Sequence, residues 1–260
     1  MVEGSTGYAR GALFVFWAPL ANNPGVNMKV RDKHEFQEEH KEGVYKAIHL
    51  RRDIRQQFLP DPVPEATLAK ILQAAHHAPS VGFSQPWDFL VVRDMTIRQS
   101  IHAAFEHAHK EAALMFTADK REQYRGFKLE GILESPLNIC VTYDPSRFGP
   151  VVVGRTASPQ MGVFSSICAV QNLWLAARAE GLGVGWVSII HNEDISKALS
   201  LPDHIVPAAY LCLGYVSHFP KQPELETVGW LPRMPLERVV AVDRWGQSSA
   251  KAWPQLHQEL

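Results

Sequence analysis

The sequence predicts an α+β fold in which helices flank a central mixed or antiparallel sheet. Apolar runs at 89–92, 137–143, 183–190 and 208–216 are typical of buried strands. Helical segments separate these strands at irregular intervals instead of forming a regular strand–helix repeat. Because no internal repeat or clear linker divides the chain, we expect residues 35–247 to form one domain.

Two helices are predicted before the first strand. Residues 35–50 are charged, with apolar residues at helical spacing, which indicates an amphipathic helix. Residues 65–77 follow a stiff connector, and Pro64 suits the first turn of their helix. Pro79 then stops the helix, because proline cannot continue it. The stripe that this second helix should bury consists of Leu68, Ile71, Leu72 and Ala75.

The remaining segments follow from charge and apolar periodicity. Residues 96–125 predict a long helix that is interrupted near Phe116 and Thr117. Residues 144–160 contain three prolines and two glycines and predict a long loop, a type of segment that is often functional. Residues 162–180 form a helix that is apolar nearly all round, so it should be buried in the core or in a subunit interface. A short helix is expected at 193–199, and no regular structure after Phe219.

Charge and cysteine usage exclude several classes of protein. A formal net charge of -1 and a pI near 6.9 give no global attraction to nucleic acid or to an anionic membrane. Cys140, Cys168 and Cys212 lie in apolar surroundings without a Cys-x-x-Cys spacing. We therefore expect neither a disulfide framework nor a zinc site, but buried thiols in a reduced cytosol.

The two ends of the chain are interpreted separately. Residues 11–20 are apolar but too short to span a bilayer, and they resemble a signal-peptide core only weakly. We interpret residues 1–34 as an extension that is disordered or not native, with Met28 as a candidate for the true start. Residues 248–260 are expected to form a C-terminal tail. The predicted location is cytoplasmic.

The glycines of Gly181-Leu182-Gly183-Val184-Gly185 have the spacing of a dinucleotide-binding turn. They close a helix and open a strand, however, which is the reverse of the strand–turn–helix order that such a turn requires. We interpret them as a helix cap followed by close backbone packing. Their approach to a flat ring remains an open alternative.

The strongest local signal is a group of arginines around one acid. Arg51, Arg52 and Arg55 surround Asp53 in sequence. Such a group is often a solvated helix end, but arginine also binds phosphate in a bidentate fork. The turn-rich segment 78–87 follows one helix later and offers a concentrated polar lining, and together the two segments predict a flavin mononucleotide (FMN) site. The lining residues are Ser80, Gly82, Ser84 and Gln85.

Five sequence blocks, in this order, resemble the nitroreductase-like flavoproteins. Within that family they resemble the branch that fragments reduced FMN with O2. The resemblance covers residues 42–247 and is specific because all the blocks are in register. The blocks are RRDIRQQF, AAHHAPSVGFSQPWDFLVV, GRTASPQMG, CAVQNLWLAARAEGLGVGWVSI and LCLGYV.

The resemblance implies a reaction and an assembly. Reduced FMN is the substrate and O2 the co-substrate, and no metal takes part. The products are erythrose 4-phosphate and 5,6-dimethylbenzimidazole, the lower ligand of cobalamin. The resemblance further implies a homodimer with FMN at the subunit interface, a C-terminal extension that wraps the partner, and a separate flavin reductase that supplies reduced FMN. No nucleic acid or membrane partner is expected.

The resemblance also implies the site residues. Asp53 stands where ordinary members have Ser or Thr, and Ser188 occupies a position near the flavin ring, so these two are the implied catalytic pair. We hypothesise that Asp53 is the base near the ribityl carbon or orients the ribityl group, that the arginines keep it ionised, and that Ser188 hydrogen-bonds near the ring. The implied FMN-binding residues are Arg51, Arg52, Asp53, Ile54, Arg55, Ser80, Gly82, Ser84, Gln85, Trp87, Ser188 and Arg233.

Two other functions are compatible with the same motifs. One is an NAD(P)H-dependent nitro- or quinone reductase that retains FMN as a prosthetic group. The other is a protein that sequesters flavin without turning it over. The acid at Asp53 favours fragmentation over reduction, because the shared motifs account for flavin binding alone.

Overall fold

A computed structural model describes residues 34–247 and contains one four-stranded sheet within that range. Every pair of neighbouring strands in the sheet is antiparallel, in the order β1-β2-β4-β3. The predicted α+β class is therefore confirmed, with an antiparallel rather than a mixed sheet. The strands are β1 (Phe89–Val92), β2 (Leu137–Tyr143), β3 (Leu182–Trp186) and β4 (Val206–Tyr215).

Seven α-helices lie within the described residues, which fall into two units, one through Lys41 and one from Glu42 onward. Short 3-10 turns lie at Val81–Phe83 and Leu236–Arg238. The helices are α1 (Glu38–Leu50), α2 (Glu65–His76), α3 (Met95–Leu114), α4 (Ala118–Arg125), α5 (Met161–Ala179), α6 (Asn192–Leu199) and α7 (Glu224–Thr227).

Helices cover both faces of the sheet and create two cores. Side chains alternate between faces along a strand, so Leu211 packs with α2 and α5, whereas Tyr210 and Cys212 pack with α3 and α6. Because both faces are buried, the central strands read as continuous apolar runs instead of alternating patterns. This burial explains why β2 and β4 are recognisable in the sequence.

Most predicted elements are confirmed, with shifted ends. The interruption of the long helix is real, since α3 ends at Leu114 and α4 begins at Ala118. The third strand was predicted to run to Ile190, but β3 ends at Trp186. Val187 makes one more hydrogen bond to β4, from its N–H to the Tyr210 carbonyl at 2.9 Å, whereas Ile190 lies beyond the ladder. Both side chains are apolar because they enter the second core. The predicted end was too late because Ile190 is buried without belonging to the strand.

The prediction of three buried thiols is wrong for one cysteine. Cys140 and Cys212 are buried, and burial raises the pKa of each thiol to about 12. Cys168 is exposed, because it lies on the outward side of α5 with Phe164 and Gln171.

Three further expectations concern the chain ends and membranes. The segment after Phe219, expected to lack regular structure, contains α7 and a 3-10 turn. The interpretations of the N-terminal extension and of the tail at 248–260 fall outside the described residues, apart from residue 34. Among residues 34–247, no helix combines the length and apolar character needed to cross a bilayer.

Candidate active site

The segment that carries Asp53 is docked along the edge strand β3. Ile54 N donates to the Val184 carbonyl at 2.9 Å, and Asp53 pairs with Val184 in a parallel bridge. A Cβ at Gly185 would overlap the Ile54 carbonyl oxygen, and one at Gly183 would lie 2.8 Å from Ile54 Cγ1. The interpretation of these glycines as close-packing residues is confirmed, because the Ile54 backbone approaches Gly185 and the side chains of Val216 and Ile54 approach Gly183.

Two hydrogen bonds orient the Asp53 carboxylate. Oδ1 accepts from the Trp186 backbone N–H at 3.0 Å, and Oδ2 accepts from Arg55 Nη2 at 2.8 Å. Burial raises the pKa of Asp53 and outweighs the opposite effects of Arg55, the Trp186 N–H and Arg51. The arginines act in the expected direction, but the net shift of the pKa is upward. About a third of the side chain (33%) is nevertheless exposed, so the carboxylate can meet a ligand.

The three arginines of the motif have different environments. Arg55 is only 8% exposed and bridges Asp53 and Glu224, so it is not part of a solvated helix end. Arg52 donates to the carbonyls of His49, Arg51 and Lys221 at 2.5–2.8 Å. The Arg51 guanidinium lies 5.1 Å from the centre of the Trp174 ring.

Further arginines add to the positive field. Burial and the charges of Arg51, Arg233 and Arg178 lower the pKa of Arg52, whereas Glu226 alone among the contributing groups raises it. The predicted site residue Arg233 is thus brought near the motif across a long sequence separation. Buried Nε atoms of Arg52 and Arg55 have no hydrogen-bond partner among residues 34–247.

The turn from Ser80 to Gln85 is shaped by its own polar groups and by α5. Ser80 Oγ accepts from the Gln85 N–H, and Val81 N donates to Ser165 Oγ, both at 3.0 Å. Gly82 has a φ of +55°, and a Cβ there would lie 2.6 Å from Val152 Cγ1. The long loop at 144–160 therefore supports this turn directly.

Arg147 fixes the far end of the same segment, a role that the sequence did not indicate. Its Nη2 donates to both carboxylate oxygens of Asp88 at 2.7 and 2.8 Å, and its Nη1 donates to the carbonyls of Gln85 and Trp87. No spacing rule could have found it, because these partners lie about sixty residues earlier (the separations are 59 to 62).

The other predicted site residues are distributed differently. Ser84 is 1% exposed, and its hydroxyl has no partner among the described residues. Trp87 is a core residue whose indole N–H donates to His76 Nδ1 at 3.1 Å. Ser188 is exposed in the loop after β3, two residues beyond the backbone N–H that holds Asp53.

Two surface grooves lie away from these residues. One of about 680 Å³ is lined mainly by α2, β1 and the end of α6, and one of about 530 Å³ lies between the 60–65 connector and residues 133–137. Neither groove includes the Arg51–Arg55 motif or the 80–85 turn.

Comparisons with known proteins identify the family of this chain. Residues 48–215 match the model of the Nitroreductase family, so the chain belongs to that family and the resemblance in the sequence is confirmed. The chain is 38% identical over 195 residues to a 5,6-dimethylbenzimidazole synthase of Rhodospirillum rubrum, covering 75% of this chain and 92% of the relative. It is 32% identical over 202 residues to a 5,6-dimethylbenzimidazole synthase of Rhodobacter capsulatus, covering 78% and 97%.

A solved structure of an iodotyrosine deiodinase, bound to FMN and 3-iodo-L-tyrosine, has the same fold. Its TM-score is 0.61 at 22% identity, and the match covers 78% of this chain and 99% of that one. At this identity the likeness supports the fold alone.

The residues present fit an FMN molecule. Orphaned N–H groups on Arg52 and Arg55 suit an anion, and the unpartnered Ser84 hydroxyl lies in the turn that offers the predicted polar lining. Arg52 and the three guanidiniums that act on it carry more positive charge than the nearby Glu226 balances, as a phosphate group requires. Within residues 34–247, no three His, Cys, Asp or Glu side chains form a metal-binding group.

Proposed function

We propose that this protein is a 5,6-dimethylbenzimidazole synthase, which uses O2 to fragment reduced FMN into 5,6-dimethylbenzimidazole and erythrose 4-phosphate. The observation that carries the proposal is the Asp53 carboxylate, held at 3.0 Å from the Trp186 N–H and partly exposed beside the arginines. The 38% identity to a synthase of this name supports it. The benzimidazole would then serve as the lower ligand of cobalamin.

The chain's residues divide the tasks of binding and catalysis. Arg51, Arg52 and Arg233 would hold the phosphate, and the 80–85 turn would line the polar edge of the ring. When bound, reduced FMN supplies the electrons that activate O2. Asp53 would accept a proton from the ribityl chain, and its raised pKa makes it a stronger base than an ordinary aspartate. Ser188 would donate or accept a hydrogen bond near the ring.

The functional unit that we propose is a homodimer with FMN at the interface. Apolar side chains of the 81–83 turn, the 144–160 loop and the outer side of α5 are exposed together in one chain, including Phe83 at 81%, Phe148 at 72% and Val153 at 84%. Contiguous exposed apolar surface of this kind is typical of an interface. The partner would cover it and exclude water from the flavin.

The second candidate is an NAD(P)H-dependent nitro- or quinone reductase. The family membership and the arginine motif are equally compatible with it. It gives no role, however, to a partly buried carboxylate at position 53, whose charge costs free energy to desolvate beside a ligand that is itself anionic.

The test compares Asp53→Asn with the wild-type enzyme. Asparagine retains an oxygen that can accept from Trp186 N–H but cannot act as a base. We expect benzimidazole formation from excess reduced FMN in air to fall by at least about 100-fold. Reduced FMN should still bind within a few-fold of the wild-type affinity, measured anaerobically by equilibrium dialysis.

The control is Asp61→Asn, which removes an exposed carboxylate from the connector before α2. An unchanged benzimidazole yield in Asp53→Asn would refute the role of Asp53. Steady NAD(P)H oxidation by the wild-type enzyme without benzimidazole would favour the reductase. Bound flavin without any turnover would favour a carrier. A separate flavin reductase is required as the supplier if only pre-reduced FMN is consumed.

A further inference from the structure

Glu224 reaches back to the arginine motif from the far end of the chain. Its Oε2 accepts from Arg55 Nη1 at 3.2 Å, and its Oε1 accepts from Gln56 Nε2 at 3.4 Å. The partners lie 168 and 169 positions earlier in the sequence. Glu224 is the first residue of α7 and lies three residues after Lys221, whose carbonyl accepts from Arg52.

Arg55 thus divides one guanidinium between two carboxylates. Nη2 donates to Asp53 Oδ2 at 2.8 Å, Nη1 donates to Glu224, and Nε has no partner among the described residues. The side chain is buried, so its charge is expensive to leave uncompensated, and the two acids compensate it from different sides. We propose that Glu224 is a positioning residue for Asp53, acting through the shared Arg55 guanidinium. This inference rests on the proposed role of Asp53 toward reduced FMN.

The geometry explains what the second acid does. A guanidinium that faces one carboxylate alone tends to form a bidentate pair, with two parallel N–H bonds. Such a pair would hold both oxygens of Asp53 and stabilise its charged form strongly. Glu224 instead keeps one Nη turned away, so that Asp53 receives a single N–H from Arg55 and keeps lone pairs for a substrate proton.

The charges around Asp53 also indicate that Glu224 makes this carboxylate a stronger base. Arg55 and Arg51 on its own segment lower the pKa of Asp53, the Trp186 N–H of β3 lowers it, and Glu224 of α7 raises it. Removing the charge of Glu224 should therefore lower the pKa of Asp53 and make it a weaker base. Removing its oxygens as well should lower that pKa further, because Arg55 is then free to pair with Asp53 alone.

The experiment follows the Asp53 carboxyl carbon by NMR in flavin-free protein labelled with 13C-aspartate. Asp53→Asn assigns the signal, and the variants are Glu224→Gln and Glu224→Ala. We expect the Asp53 titration to move to lower pH in Glu224→Gln and further in Glu224→Ala. Glu226→Gln is the matched control, because it removes the same charge from the same short helix but does not contact Arg55. The Asp53 titration should not move in that control.

A double-mutant cycle with Arg55→Met tests whether Glu224 acts through Arg55. Glu224→Gln removes the charge and keeps an acceptor for Arg55, so the extra shift of Glu224→Ala over Glu224→Gln reports the action through Arg55. In the Arg55→Met background, the Asp53 titrations of Glu224→Ala and Glu224→Gln should coincide. The same extra shift in both backgrounds would overturn the inference, as would an unchanged titration in both Glu224 variants. If Glu224→Ala fails to fold, Glu224→Asp replaces it, because the shorter acid keeps the charge but withdraws from Arg55, and the titration should still move to lower pH.

The pH profile of benzimidazole formation separates this inference from the proposed function. The acid limb, where Asp53 becomes protonated, should move to lower pH in Glu224→Gln by the same amount as the NMR titration. If the wild-type enzyme makes no benzimidazole, the proposed function fails, but the NMR titration still reports whether Glu224 controls Asp53. If the titration moves and the acid limb does not, Asp53 is not the base.

Discussion

The Asp53 segment and the turn from Ser80 to Gln85 both belong to the proposed flavin site, but they are held in opposite ways. Asp53 is fixed inside one chain, by the edge of the sheet, Trp186 N–H and Arg55. The turn is supported by the 144–160 loop and α5, and both of these expose apolar side chains. In the proposed function, the catalytic groups thus belong to a single chain, whereas a second chain would enclose the flavin.

The largest effect should come from breaking the proposed dimer through the turn region. Phe164→Asp places a charge on the exposed outer side of α5. We expect the dimer to dissociate about 100-fold more readily, because burying an unpaired charge costs about 3 kcal/mol or more at an interface. Flavin binding and benzimidazole formation should be lost with it. Sedimentation velocity and flavin titration measure both.

The control is Leu114→Asp, which adds the same charge at another exposed apolar position, the end of α3. It should leave the assembly and flavin binding unchanged. If Phe164→Asp also leaves the assembly unchanged, the outer side of α5 is not the interface, and the contrast between the two regions loses its explanation.

The next prediction concerns the Asp53 segment, which contacts within the same chain hold against β3. Gly185→Ala would push a Cβ into the Ile54 carbonyl oxygen and displace Asp53 from β3. We expect the free energy of unfolding to fall by about 1–3 kcal/mol, as for other overpacked sites. The dimer should persist. Urea unfolding monitored by circular dichroism, together with sedimentation, measures the two properties.

Gly43→Ala is the matched glycine substitution, since nothing lies within 4 Å of that position and α1 is helical there. It should leave stability unchanged or raise it by about 0.5–1 kcal/mol, because alanine favours helix. Equal free energies of unfolding for the two variants would show that the close approach of Ile54 to β3 does not contribute to stability.

The smallest effect concerns the turn itself. Gly82→Ala combines a positive φ of +55° with a clash against Val152 Cγ1, whereas Gly149→Ala has a positive φ of +83° and open space. Both should cost roughly 1–2 kcal/mol from backbone strain. Only Gly82→Ala should weaken the binding of reduced FMN as well, by about tenfold, which corresponds to about 1.4 kcal/mol. Similar affinities in both variants would remove the turn from the flavin site.

Much of the fold could be predicted because local patterns agree with tertiary burial. The stripe on α2 is buried as predicted at Leu68, Ile71 and Ala75. The end of β3 could not be predicted, since the apolar run continues to Ile190, which is buried in the second core beyond the last pair of the ladder. Apolar character reports burial, whereas a strand also requires backbone partners that only the folded sheet defines.

The residues of the candidate site likewise divide into those that could be recognised in the sequence and those that could not. The motif around Asp53, the polar turn and the family itself were recognisable, because they are contiguous stretches with specific residue types. Arg147 and Glu224 were not, although each makes two or more contacts with those stretches. Their partners lie between 59 and 169 positions away, and no local spacing connects them.

The sequence by itself therefore determined the positions of the buried core strands, the interruption before α4, the packing role of the glycines in β3 and the identity of the acid at position 53. The tertiary structure decided how that acid behaves. Its pKa is raised because burial outweighs the arginines that stand beside it in sequence. The tertiary structure also places Trp87 in the core and brings Glu224 into contact with Arg55. Burial and long-range pairing are properties of the folded chain, so residue types and local spacing do not specify them.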